Sequence, residues 1–274
     1  MSGPRDWSPH EPRRPGVVRR TLPIVLAVAV VVAGLIHFRD DLRELIGTAP
    51  GSGRSALATH SLYEAATPVG RRCAGLPKDL DADGEATLRT LAGCLDRMWS
   101  AALERAGFDY EPPAETRLVG TPEEAACGID DFDWSGIYCS GDRVVNVLVE
   151  RGGEERETFP MMFTLAHEYA HHVQQITGIA DQSGPEVFDE AWSRRLELQA
   201  DCLAAATLRD VHPYLLNDLR RSAAAQSSAT QEQAEVYRDS HGSGASSARW
   251  MLRGQKEGTV ASCNTWKAPA EEVS

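Results

Sequence analysis

The sequence predicts an α+β domain placed after a single N-terminal apolar helix, and three observations lead there. Leu22 to Phe38 is a 17-residue run with no formally charged residue, about 25 Å of helix and enough, at the short end, to cross a bilayer. Beyond it, "TLRTLAGCLDRMWSAALERAG" (Thr87 to Gly107) spaces Leu88, Leu91, Leu95, Met98 and Leu103 along one helix face, whereas "DRVVNVLVE" (Asp142 to Glu150) alternates as a largely buried strand. The third is "TLAHEYAHHVQQITG", residues 164 to 178, which sets three histidines and a glutamate in an otherwise apolar, helix-like run.

The apolar run reads as an uncleaved transmembrane anchor over residues 22–38, because "RDDLREL" follows it directly where a signal peptide would carry a small-x-small cleavage site. Residues 1–21 hold five arginines against Asp6 and Glu11, a net +3, which leaves −15 on the rest of a chain of net charge −12. By the positive-inside rule the short tail is cytoplasmic and everything after the anchor lies outside. So acidic a remainder argues against a nucleic-acid partner and offers no basic patch for anionic lipid, so the membrane is touched through the anchor alone.

At 274 residues with 42% apolar and 25% charged content, the chain can fold one good-sized domain or two small ones. Residues 39–61 include "GTAPGSGRSALATHS", small and turn-prone, and read as a flexible linker. The folded domain is then expected over residues 62–266, with a disordered tail at 267–274. "RGGEERE" breaks the strand before the histidine-rich helix, and from Arg221 to Ala248 few apolar anchors support a helix. There is no internal repeat.

His167, Glu168 and His171 form the pattern H-E-x-x-H. On a helix the two histidines, at i and i+4, project from one face, so two imidazoles can grip one cation. Glu168 lies about 100° round the same turn, close enough to act as a base on a water beside the cation without ligating it. Phe163, Ala166, Ala170 and Val173 make this an interior helix, where ionisable groups are costly unless they ligate or pair. His172 is turned off the ligand face and reads as a satisfied or solvent-facing histidine.

A catalytic metal needs a third protein ligand. Glu190 and Glu197 are the two downstream candidates. Position 194, one turn after Glu190, is Arg, whereas Glu197 opens "ELQADC", in which Asp201 follows at i+4 and can accept the N–H of a ligating histidine. That pairing favours Glu197. Two imidazoles and a carboxylate suit zinc.

"AHEYAHHVQ" followed by "RRLELQADCLAA" closely resembles the neutral zinc metallopeptidase family of single-pass bacterial membrane proteins, which use two histidines and a glutamate. The likeness extends to "CG" (Cys127, Gly128), "GIYCSGDRVV" and "HGSGASSARW", over roughly residues 88 to 266. The sequence departs from the family at Ala170, where Gly is usual, and in an altered segment before "HGS". The resemblance implies a zincin-like α+β fold, Zn2+ held by His167, His171 and Glu197, and Glu168 as general base and later acid. It implies a protein or peptide substrate, and an edge strand that pairs with it, for which "DRVVNVLVE" is the expected segment. Tyr237 and His241 are the candidate donors to a developing oxyanion, by downstream position alone.

Outside the membrane the six cysteines, none in a C-x-x-C pair, read as staples. Six allow 15 pairings. The hypothesis adopted is Cys127 with Cys139, closing the loop before the strand, Cys73 with Cys94, and Cys202 with Cys263. Mass spectrometry of the unreduced, digested domain finding Cys202 free would exclude it. Two functions fit these residues: a membrane-anchored, extracytoplasmic zinc metalloendopeptidase, and an inactive zincin scaffold that binds an envelope protein or peptide.

Overall fold

An aspartate begins the first long helix: the Asp83 carboxylate accepts a hydrogen bond from Ala86 N–H at 2.9 Å, satisfying one of the free donors of the first turn. In the computed structural model this helix is α1 (Gly84–Ala106), followed among the described residues by β1 (Glu115–Val119), β2 (Gly136–Cys139), β3 (Val144–Leu148), α2 (Thr158–Ile176), α3 (Glu190–Leu208), α4 (Leu215–Ser227) and α5 (Gly244–Glu257). The described residues are 56–64, 66, 68–127, 134–149, 157–180, 189–212, 215–227 and 240–274, all within one compact unit, Gly53–Ser274. The architecture is mixed α and β, mostly helical, with one three-stranded sheet.

No helix among the described residues is long and apolar enough to cross a membrane. The expected anchor at Leu22 to Phe38, the tail before it and most of the linker lie outside the described residues.

Helix α2 runs through the middle of the domain. It packs on α3 and α1 and against β2 and β3, and buries Phe159, Met162, Leu165, Ala166, Tyr169, Ala170 and Val173. Its own N-terminal residue provides no side-chain cap, and the need is met from a distant loop, where Asp81 Oδ1 accepts from Thr158 N–H at 2.6 Å. Helix α3 buries Ala200, Ala204, Ala205 and Ala206 completely, so its surface is thin enough for α5 to approach closely. At that contact a Cβ on Gly254 would lie 2.1 Å from the Cys202 carbonyl oxygen, a distance only glycine avoids.

The sheet order is β1-β3-β2, with β1 parallel and β2 antiparallel to β3. "DRVVNVLVE" therefore cannot be the substrate-pairing edge. Its core, β3, is the central strand, with both backbone edges already occupied. Its four consecutive buried residues, Val144 to Val147, reflect that position. The pairing order is set by the crossover from β1, which local alternation does not reveal. Asn146, fully buried on β3, accepts from Ala126 N–H at 3.2 Å and donates to the Ile137 carbonyl at 3.2 Å.

Both expected domain boundaries shift outward. Leu57 is 2% exposed and sits in the core, as does Leu62 from the short turn Ser61–Glu64, so residues expected as linker belong to the domain. The segment 267–274, expected as a disordered tail, packs on α5: Val273 is buried, Trp250 Nε1 donates to the Glu272 carbonyl at 2.8 Å, and Ser243 Oγ donates to the Ser274 carbonyl at 2.7 Å. Its composition is polar, but its backbone carbonyls find donors on the helix.

Disulfides join Cys73 to Cys94, Cys127 to Cys139 and Cys202 to Cys263, and no cysteine is free. The third spans 61 residues and ties α3 to the C-terminal segment, so it restricts the unfolded chain most. Replacing Cys202 and Cys263 together by serine is expected to cost about 2–5 kcal/mol of unfolding free energy. A denaturant midpoint equal to that of the oxidised wild type would refute this.

Candidate metal centre

Helices α2 and α3 cross so that His167 and His171, one turn apart on α2, face Glu197 on α3. One ligand atom from each lies within 4.8 Å of the other two. His167 Nε2 is 3.0 Å from His171 Nε2, and Glu197 Oε2 is 3.1 Å from the first and 3.2 Å from the second. Their side chains are 14, 15 and 18% exposed, so the cluster is largely buried yet reachable.

The outer ring nitrogens decide what the inner ones can do. His167 Nδ1 is 3.0 Å from Asp201 Oδ1, and His171 Nδ1 is 2.8 Å from Gln174 Oε1. An ionised carboxylate and an amide oxygen only accept, so both Nδ1 atoms carry the hydrogen, and in a neutral imidazole Nε2 is then a bare lone pair. With both rings neutral, three lone pairs then face one another. A divalent cation resolves such an arrangement, and these donors suit zinc.

The electrostatics show the same need for positive charge. Burial opposes charge on His167, but hydrogen bonds to Asp201 and then Glu197 outweigh it and hold its pKa well above the ordinary histidine value. Burial likewise opposes charge on His171, and the Glu197 charge outweighs it. Burial raises the Glu197 carboxyl, but His171 and His167 pull it well below the usual range. The cluster favours positive charge at its centre.

Glu168 is 6% exposed, and burial raises its pKa, against the opposing pull of His167 and His171 and a hydrogen bond from the Tyr138 backbone. β2 passes close above it. A Cβ on Gly136 would lie 2.3 Å from Thr164 Cγ2 and 3.0 Å from Glu168 Oε1, so only glycine lets the strand come this near. The Leu148 N–H bond to the Ser135 carbonyl, with the antiparallel register, leaves the backbone groups of Gly136 and Tyr138 on the outer edge of β2.

Other candidates separate clearly. Glu190 lies at the first turn of α3, 67% exposed and 3.4 Å from Arg194, outside the cluster. His172 is fully buried: its Nε2 donates to the Glu111 carbonyl at 2.7 Å and its Nδ1 is 3.0 Å from the Tyr138 hydroxyl, so it ties the loop before β1 to β2. His241 comes to the cluster, with Nε2 3.4 Å from Glu197 Oε2, and burial lowers its pKa. Tyr237 lies outside the described residues. Sequence reasoning missed Gln174, at i+3 from His171, and Ser247, whose Oγ donates to Asp201 Oδ2 at 2.6 Å. It looked for charged partners, and both of these are neutral.

Two histidines one turn apart on a helix, with a carboxylate from a second helix, form a cluster with the geometry to hold a metal ion. The chain belongs to the family described as "Putative neutral zinc metallopeptidase", which it matches over residues 15–266. It is 27% identical to uncharacterized protein YpfJ of Escherichia coli K12 over 267 residues, 89% of this chain and 86% of that protein. It is 28% identical to uncharacterized protein Rv2575 of Mycobacterium tuberculosis over 203 residues, 64% of this chain and 68% of that one. No solved structure matches it.

Gly136→Ala is expected to destabilise the domain by about 1–3 kcal/mol, the usual cost of overpacking, because β2 must lift from α2. An unchanged unfolding midpoint in denaturant would show that the strand is not held against Thr164 and Glu168.

Proposed function

We propose that this domain is a zinc-dependent metalloendopeptidase of zincin-like fold, with His167, His171 and Glu197 as metal ligands and Glu168 as general base. The observation that carries the reading is the meeting of His167 Nε2, His171 Nε2 and Glu197 Oε2 within 3.2 Å of one another, both Nδ1 atoms being engaged elsewhere. Bound there, zinc supplies a Lewis acid that polarises a peptide carbonyl and lowers the pKa of water.

The chain's own groups supply the rest. The buried Glu168 carboxylate takes a proton from the attacking water and returns it to the leaving amine. Burial raises its pKa, which favours it as a proton acceptor over a surface glutamate. The outer edge of β2 offers the backbone groups of Gly136 to an extended peptide, which would run along that strand. His241, 3.4 Å from Glu197, is the proposed donor to the oxyanion.

The same proposal places the domain outside the cytoplasmic membrane, tethered by residues 22–38 with residues 1–21 in the cytoplasm. The basic flank of the apolar run supports this, and three disulfides suit an oxidising compartment.

Glu168→Gln is expected to keep about one zinc per chain and to lose peptide hydrolysis by roughly 10²–10⁴-fold. Glu197→Ala loses the metal and Glu190→Ala does not, as read by metal analysis of the purified proteins. Full hydrolysis by Glu168→Gln, or zinc retained without Glu197, would overturn the assignment.

A further inference from the structure

His167 and His171 are held by chemically different partners. Asp201, a carboxylate steadied by Ser247, accepts from His167 Nδ1. Gln174, an uncharged amide three residues along the same helix, faces His171 Nδ1 at 2.8 Å.

The direction of that amide is fixed from its far side. Gln174 Nε2 donates to the Leu196 carbonyl at 2.8 Å and to Gln199 Oε1 at 3.0 Å. A carbonyl only accepts, so the amide nitrogen must point toward α3 and the oxygen toward His171. Gln199 is anchored in turn: its Nε2 donates to the Cys263 carbonyl at 3.1 Å and to the Tyr63 hydroxyl. Both glutamines are fully buried, so no water competes for the amide oxygen.

We infer that Gln174 is a positioning residue that sets the tautomer and ring orientation of His171, holding Nδ1–H outward and leaving Nε2 free toward the cluster. This rests on the metal reading above for its zinc measurements but not for the tautomer itself. A carboxylate at 174 would still accept from Nδ1 but could not donate to Leu196 or Gln199. A leucine could do neither. The identity of the residue thus separates two roles: the oxygen serves His171, and the nitrogen serves the packing of α2 on α3.

The experiment compares wild type, Gln174→Leu and Gln174→Glu by zinc affinity, thermal stability and the nitrogen-15 chemical shifts of His171 at a pH where the ring is neutral. Gln174→Leu is expected to weaken zinc binding 10–100-fold, the usual effect of removing a ligand's hydrogen-bond partner. Gln174→Glu is expected to bind zinc nearly as wild type while melting lower. Wild-type His171 should carry its hydrogen on Nδ1. Equal zinc affinity in a folded Gln174→Leu variant, or an Nε2–H tautomer in the wild type, would overturn the inference. If Gln174→Leu does not fold, the wild-type tautomer and the Gln174→Glu affinity decide. Absence of zinc binding by the wild type would instead sink the metal assignment, and the tautomer would still test Gln174.

Discussion

Two imidazole nitrogens 3.0 Å apart, each within 3.2 Å of the same carboxylate oxygen, form the constraint around which the domain is arranged. Acceptors do not converge in a protein interior without compensation, since burying unmatched polar atoms is costly. Here every surrounding group works to keep them converged. Asp201 and Gln174 occupy the outer nitrogens, Ser247 and Gln199 hold those partners, and α3, which carries Glu197, is pinned by the Cys202–Cys263 disulfide.

The scaffold follows from that need. Ligands on two helices require the helices to stay in register, and the polar bridge from Gln174 to Leu196 and Gln199 crosses directly between α2 and α3. The buried alanines of α3 and Gly254 of α5 let a third helix back up the second at short range. On the other face, Gly136 brings the outer edge of β2 against Glu168. Glu168, the His167–His171–Glu197 cluster and the outer edge of β2 thus meet around one helix.

What was legible in the sequence was local. The i, i+4 spacing of His167 and His171, the pairing of Glu197 with Asp201 one turn on, and the helix ending before Gly107 depend only on helical periodicity. Strand order was not legible: "DRVVNVLVE" has the same alternation whether central or at an edge, and only the crossover from β1 makes it central. The chain's last residues carry no periodic pattern to mark them as packed, yet Val273 and the carbonyls of Glu272 and Ser274 fasten them to α5. Gln174 and Ser247 went unseen because a neutral side chain gives no signal until its partners are placed. His172 shows the converse: a histidine directly after the motif whose two nitrogens are engaged in holding the fold.

The most direct test of this account is anomalous diffraction at the zinc edge from crystals of the zinc-loaded domain. The account predicts a single strong peak about 2.0–2.2 Å from His167 Nε2, His171 Nε2 and a Glu197 carboxylate oxygen. A zinc held elsewhere, or bound through Nδ1 of either histidine, would contradict it.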